Sequence, residues 1–278
     1  MAEFRAASAA PGGGAAFYSS YMHIQDPLAR AVRAEAFGED IGQFSWTTAD
    51  EMRRFFTALE LGPASRLLDV ACGSGGPALF TARTTGCHVT GVDITENGIQ
   101  TATKLAAELG LTGQTRFRRA DASQPLPFDD GSFDVVMSMD SMNHFLDRAR
   151  LLKEWYRVLR PGGRILFTDP IVVTGMLVRE EMITRSGAMG LFVFTPLGLD
   201  ERFIEAAGFA SPRVEDVTDN IALVSGRWHQ ARANHVSELV AVEGQAGYDA
   251  FQEFLAVVYK LSSEKRLSRL LYCARRAA

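Results

Sequence analysis

Cysteine is scarce in this chain: Cys72, Cys87 and Cys273 are the only three in 278 residues, and they lie far apart. Three scattered thiols exclude a disulfide framework and the paired-cysteine spacing of a zinc site. Cys72 reads as a small buried filler. Clusters of His, Cys and acids at metal-ligand spacing are missing too, so no metal is expected. No apolar run is long enough to span a bilayer, and the first residues lack an apolar core behind positive charge. An excess of one sign of charge is also absent. Lys and Arg number 29 against 33 Asp and Glu, a formal net charge of −4, with no basic stripe. That removes the electrostatic footprint of a nucleic-acid partner. These absences leave a cytoplasmic globular protein, long enough for one α/β domain with an appended lid. Its Ala/Gly-rich residues 1–16 read as a disordered N-terminus.

What is present begins with Arg66-Leu-Leu-Asp-Val-Ala-Cys-Gly-Ser-Gly-Gly-Pro77. Leu67, Leu68 and Val70 supply a buried strand. Asp69 ends it with an acid, and Gly73, Gly75 and Gly76 let the backbone approach a ligand before a helix begins. That is the geometry of a nucleotide-type site at the first turn of a parallel sheet. The glycines alone also fit a dinucleotide pattern. A pyrophosphate, however, is repelled by a neighbouring carboxylate, whereas a ligand with a sulfonium and an α-ammonium is attracted. A second strand, Val89-Thr-Gly-Val-Asp93, ends in an acid suited to ribose hydroxyls in either cofactor class. A third, Arg116-Phe-Arg-Arg-Ala-Asp121, ends in an acid able to accept from an adenine amino group. Asp69, Asp93 and Asp121 surround a cationic adenosine better than a bis-phosphate.

In order and spacing, residues 40–210 resemble the class I S-adenosylmethionine-dependent methyltransferases. The resemblance is to the small-molecule branch that includes sugar O-methyltransferases and sarcosine/dimethylglycine N-methyltransferases. Leu68-Asp-Val-Ala-Cys-Gly-Ser-Gly75 resembles the first motif, with Ala71 where Gly is usual. Gly91-Val-Asp-Ile94 resembles the second, Ala120-Asp-Ala122 the third, Phe133-Asp-Val-Val-Met-Ser-Met-Asp140 the fourth, and Leu159-Arg-Pro-Gly-Gly163 the loop before the fifth strand. The resemblance implies S-adenosyl-L-methionine as cofactor, with Asp69, Ala71, Gly73 and Gly75 at the first turn. Asp93 and Ile94 follow at the second, Asp121 and Ala122 at the third, and Met139 after the fourth strand. Gln43-Phe-Ser-Trp46 resembles the segment lining the methionine end of the cofactor, against plain packing for Trp46.

In similar sugar O-methyltransferases a His pair occupies the positions of Asn143 and His144, and an acid that of Asp169. This chain keeps His144 and Asp169 but carries Asn143, so the base role falls on His144, whose ordinary pKa suits it. Asp140 would orient the acceptor or the base. Each residue has a plainer reading. His144 caps a helix beginning near Leu146, Asp140 forms a turn, and Asp169-Pro170 is a strand exit.

Periodicity predicts helices over 17–36 and from Thr48 to Gly62, then strands near 66–70, 88–92, 115–119, 133–138 and 164–169 with helices between. Such alternation gives an α/β fold with a parallel sheet and helices on both faces. The resemblance makes it Rossmann-like, seven-stranded and mostly parallel, with 266–273 as a final antiparallel strand. Residues 17–62 are expected to form a helical lid. Residues 63–278 are the methyltransferase domain, with acceptor-pocket insertions at about 171–196 and 221–264, the latter in two helices over 221–243 and 247–264. Met176, Met182, Met189, Phe192, Phe194 and Trp228 suggest an apolar pocket wall. Tyr18 and Tyr21 reach over the cofactor or simply pack.

The expected function is therefore methyl transfer to a nitrogen or oxygen atom of a small-molecule acceptor, a natural product or metabolite. Modules and loops that recognise proteins or nucleic acids, such as an Asn/Asp-Pro-Pro-Tyr run, are missing. C-methylation is the alternative within the family, with Glu180, Glu181 and phenylalanines stabilising a carbocation. An NAD-dependent oxidoreductase is disfavoured by Asp69, and a non-catalytic S-adenosylmethionine-binding protein by the His144, Asp140 and Asp169 cluster. The sequence leaves the acceptor and the oligomeric state open, a homodimer included.

Overall fold

Leu67 and Leu68 are adjacent, fully buried, and point to opposite faces of one strand, each into its own core. That strand, β1 (Arg66–Val70), lies between β2 (His88–Asp93) and β4 (Phe133–Ser138), parallel to both. The alternation repeats across the sheet, as a two-residue side-chain period requires. Leu68, Val136 and Phe167 face one core, and Leu67, Val135 and Leu166 the other. The computed structural model describes residues 20–187, 193–210 and 212–277. The predicted disordered segment 1–16, together with Tyr18, Met189 and Phe192, lies outside the described residues.

Among the described residues, seven strands run in the order β3-β2-β1-β4-β5-β8-β7, with β6 beside β5. The remaining strands are β3 (Thr115–Arg119), β5 (Leu159–Val173), β6 (Thr195–Pro196), β7 (Arg213–Asp216) and β8 (Leu267–Arg275). Only β8 runs against its neighbours, pairing antiparallel with β5 and β7. β5 is longer than the predicted 164–169 because β8 pairs along it as far as Val173, past an irregularity between Asp169 and Val172. Pro170 lies in that irregularity and has no N–H to give the ladder.

The helices before the sheet are α1 (Pro27–Phe37) and α2 (Ala49–Leu59). The sequence pattern suggests one helix over 17–36, but Pro27 starts a separate one after a short 3-10 turn at Ser20–His23. Thr48 caps α2 as expected, its hydroxyl accepting the Glu51 N–H at 3.3 Å. Helices α3 (Gly76–Thr85), α4 (Glu96–Glu108), α5 (Arg148–Val158), α6 (Arg179–Gly187) and α7 (Leu199–Ala206) connect the strands. Between β7 and β8 come α8 (Thr218–Asn234) and α9 (Val236–Ser263). The helical insertion thus breaks at His235 and again at Gly244, whose φ of 74° is not helical.

A third apolar cluster joins α1, α8 and α9 around Trp46. Trp46 meets Trp228 at 5.8 Å between ring centroids and Phe254 at 6.2 Å. Full burial of such side chains contributes about 2–3 kcal/mol each. That is enough to fix this helical layer on the carboxyl end of the sheet.

Candidate active site

The carboxyl ends of the parallel strands open into one cavity of about 330 Å3. Asp69, Asp93, Asp121 and Met139 all line it, with Ala71, Gly73, Ile94 and Ala122 between them. The helical layer contributes Trp46 and Trp228 to the same wall, and the 3-10 turn before α1 contributes Tyr21. Among the sequence-derived candidates, these are brought together.

The first turn is held from the second strand. Asp93 Oδ2 accepts the Gly73 N–H at 2.8 Å, and Oδ1 accepts the Thr95 N–H at 2.8 Å and hydroxyl at 2.6 Å. Gly73 has φ +54, and a side chain on it would press on the Tyr21 ring about 3.1 Å away. Ala71 takes the left-handed conformation at φ 60, where a Cβ costs about 1–2 kcal/mol. That accounts for the usual Gly at this position. Asp121 is exposed, and its Oδ1 accepts from the Ser123 N–H at 2.9 Å and hydroxyl at 2.6 Å.

Asp69 differs from the other two acids. It is buried, and its carboxyl has no hydrogen-bond or ion-pair partner among the described residues. Burial, and then the charge of Asp93, push its pKa up to about 8. A cationic group in the cavity would lower that cost directly.

On the β5 side of the cavity lie Asn143, His144 and Arg185. His144 ends a 3-10 turn, Met142–His144, and Asn143 Nδ2 donates to its Nε2 at 3.2 Å. Its ring is open to the cavity's solvent yet surrounded by protein. Burial, and then the nearby Arg185 charge, push its pKa down to about 4, so it is neutral at pH 7. Asn143 is 2% exposed, and its Oδ1 has no hydrogen-bond partner.

Four expected site residues sit differently. Asp169 does not line the cavity; it is fully buried and bound by Arg148 at 2.5 Å, which also holds Asp200 at 2.8 Å. Two carboxylates on one buried guanidinium leave an excess of negative charge. Burial and Asp169 accordingly raise the Asp200 pKa. Asp140 does line the cavity, but its carboxylate is taken up. Oδ1 accepts from Arg269 Nε and the Thr168 hydroxyl, both at 2.7 Å, and Oδ2 from the Trp46 N–H at 2.8 Å. Gly75 caps α3 and packs on Ala102 and Phe117 behind the turn, outside the lining. Gln43 is fully buried and braces its own loop, Oε1 accepting from the Ile41 N–H at 2.9 Å and Nε2 donating to Glu39 O at 3.2 Å. Its neighbours Gly42, Phe44 and Ser45 reach the cavity instead.

Of the described residues of the expected apolar wall, Trp228 alone lines the cavity. Met176 and Met182 are exposed, and Phe194 packs with Ile171, Leu261 and Leu267. Glu180 is exposed and Glu181 is paired with Lys260 at 3.0 Å and Arg266 at 2.6 Å, so neither faces the cavity. The carbocation-stabilising role considered for them has no support. Arg185 is the functional candidate that the sequence did not single out, since nothing in the pattern separates it from the exposed Arg179. Among the described residues, no group of three or more His, Cys, Asp or Glu is placed to hold a metal, and no helix is long and apolar enough to cross a membrane.

The donor set fits S-adenosylmethionine. A buried carboxyl that prefers to stay protonated calls for a cation, and a pyrophosphate beside it would make matters worse. Comparison with known proteins agrees. A methyltransferase-domain family model matches residues 68–167. The chain is 30% identical over 224 residues to 27-O-demethylrifamycin SV methyltransferase of Amycolatopsis mediterranei, covering 78% of this chain and 79% of that protein. It is 31% identical over 208 residues to the glycine/sarcosine/dimethylglycine N-methyltransferase of Actinopolyspora halophila, covering 74% of this chain but 36% of that one. The structure of a Haemonchus contortus phosphoethanolamine N-methyltransferase shares the fold, with a TM-score of 0.79 at 21% identity over 93% of this chain and 61% of that chain. A relative matched along most of both lengths is decisive, and the chain belongs to the S-adenosylmethionine-dependent methyltransferases.

Proposed function

We propose that this enzyme methylates an oxygen or nitrogen atom of a small acceptor, of metabolite or natural-product size, in the cytoplasm. The supporting observation is that one cavity holds both the three acids at the strand ends and the neutral His144, beneath Trp46 and Trp228. Acceptors of both kinds occur among the relatives: a 27-O-demethylrifamycin for one, and glycine, sarcosine and dimethylglycine for another.

S-adenosylmethionine supplies an electrophilic methyl group on a sulfonium. Asp93 would hold the ribose hydroxyls, Asp121 and Ala122 the adenine edge, and Asp69 the cationic end. Asp93 thereby couples ribose binding to the shape of the glycine turn, because the same carboxylate fixes Gly73. His144 would take the proton that a hydroxyl acceptor must lose, and a neutral imidazole is ready to do so. An amine arriving neutral needs only alignment, which the aromatic wall provides. Asp140 acts as a positioning group through Trp46 and not as a base. Residues 17–62 and the insertion at about 221–264 serve as a lid that excludes water from the transfer.

The experiment is methyl uptake from labelled S-adenosylmethionine onto a panel of hydroxyl- and amine-bearing small molecules, with the methylated atom located by NMR. Label on oxygen or nitrogen supports the proposal. Label on carbon overturns it, and binding of S-adenosylhomocysteine without any uptake favours a non-catalytic role.

A further inference from the structure

We infer that Asp169 and Asp200 share one buried proton on Arg148, and that its loss loosens residues 193–206 beside the cavity. Methyl transfer does not use these charges, so the pair behaves alike whatever the acceptor. Asp169 stands on β5, Arg148 opens α5, and Asp200 lies in the first turn of α7. Both carboxyls are fully buried, and Arg148 is nearly so.

The three groups crowd around one nitrogen. Arg148 Nη1 lies 2.5 Å from Asp169 Oδ2, and 2.9 and 2.8 Å from the two oxygens of Asp200. An Nη atom carries two hydrogens, so three oxygens divide two donors. The carboxyls are also hydrogen-bonded to each other, which requires a proton between them. Among the described residues no other donor reaches Asp200, and Asp169 gains only the Ile171 N–H at 3.2 Å. Other groups face the pair. Glu201 on α7 adds negative charge, the Tyr272 hydroxyl on β8 is neutral, and from α6 the Arg185 charge is felt at Asp169. Burial, and then the charge of Asp169, outweigh the pull of Arg148 and push the Asp200 pKa up to about 7.

The same guanidinium reaches the cavity wall. Its Nη2 donates to Val193 O at 3.3 Å, and the Val193 N–H donates to Asn143 O at 2.9 Å. Asn143 lines the cavity next to His144. Thr195–Pro196 then pairs with β5 at Val172 and Val173, and α7 packs on α5. With the proton in place, the carboxyl pair and Arg148 balance. Without it, two buried carboxylates repel each other across one arginine. Asp169 is fixed within the sheet, so the partner able to move is Asp200, at the start of an eight-residue helix. Residues 193–206 are therefore held tightly in acid to neutral solution and loosely above it.

The test compares the full chain with Asp200→Asn, whose amide donates an N–H to Asp169 as the protonated carboxyl does. Urea unfolding of both is followed from pH 5 to 9. In the unfolded chain Asp200 keeps the ordinary low pKa, so this group costs the wild type stability as the pH rises toward 7, and no more above it. The folding constant of Asp200→Asn should gain on the wild type by up to about tenfold per unit below pH 7, then level off. The contribution of Asp69 is common to both proteins and cancels. Amide exchange, corrected for its intrinsic pH dependence, locates the effect. From pH 6 to 8 the wild type should lose about tenfold in protection over 193–206, while α4 keeps its own and Asp200→Asn shows no change. Exchange in the wild type alone carries the test should the variant fail to fold. A stability difference that is constant with pH, or a variant weaker than the wild type at pH 8, overturns the shared proton. Protection over 193–206 that is unchanged, or lost equally in α4, overturns the loosening.

Discussion

Arg269 and Asp140 meet at 2.7 Å across 129 residues of chain, joining the final strand to the loop after β4. The same guanidinium donates to both oxygens of Glu51, at 2.9 and 3.0 Å, and to the Thr47 hydroxyl at 2.8 Å. Asp140 in turn accepts the Trp46 N–H, and Asn220 donates to Trp46 O at 2.8 Å and to Glu51 at 2.7 Å. One buried ionic network therefore fixes the Trp46 segment and the β4 loop, two walls of the cavity, to the sheet. Removing the cation strands two buried carboxylates. Arg269→Met should cost about 3–5 kcal/mol in urea unfolding. A loss below about 1 kcal/mol would mean that the carboxylates find water instead.

Gly76 gives a second test of how that segment is seated. It opens α3, and a Cβ there would strike the carbonyls of Ile41 and Gly42. Those atoms are backbone, so relief requires the segment to move away from the first turn. Gly76→Ala should lower stability by about 1–3 kcal/mol and weaken S-adenosylhomocysteine binding. Unaltered affinity in calorimetry would show that the segment can shift without disturbing the cofactor site.

The central strands and their acids are legible in the sequence because they obey local rules. Leu67, Leu68 and Val70 form a strand, Gly73 follows, and Asp93 and Asp121 recur at strand ends. Asp169 shows where such reading stops. An acid at a strand end points either to the ligand or to the neighbouring layer. Here Arg148, 21 residues away in sequence and shared with Asp200, draws it inward. Arg269 does leave a trace, as a lone charge in the apolar run Leu267-Ser-Arg-Leu-Leu-Tyr272. Its partners, Glu51 and Asp140, lie 218 and 129 residues away along the chain, so only the fold identifies them. The break at Pro27 was available to local reasoning, because proline suits a helix start and not its middle.

His144 allows a pH test. Its pKa lies near 4, below the ordinary histidine value, so the ring is neutral above about pH 5 and charges only as the pH falls through that range. A base in this state gives kcat/KM no limb near pH 6.5, and activity persists into mildly acid solution. His144→Ala should lower turnover by about two to four orders of magnitude while S-adenosylhomocysteine affinity is kept. A limb near 6.5 that disappears in the variant would mean that ligand binding restores the ordinary pKa. Undiminished turnover would remove the base role.

Asp69 makes the sharpest prediction for binding. With its pKa near 8 in the ligand-free protein, the carboxyl holds a proton at pH 7. The unfolded chain has the ordinary low value, so between the two the folded state binds more protons. This group's effect on stability therefore becomes less favourable as the pH rises toward 8. A cation in the cavity favours the carboxylate, so cofactor binding must release the proton. The affinity for S-adenosylhomocysteine, which carries the α-ammonium, should rise with pH below about 8, by at most about tenfold per unit. Calorimetry in buffers of different ionisation heat should register close to one proton released at pH 7. In Asp69→Asn both the release and the pH dependence should vanish, while 5′-methylthioadenosine, lacking the ammonium, should release no proton even from the wild type. Release with the neutral nucleoside would assign the proton to another group in the cavity and leave Asp69 without a cationic partner.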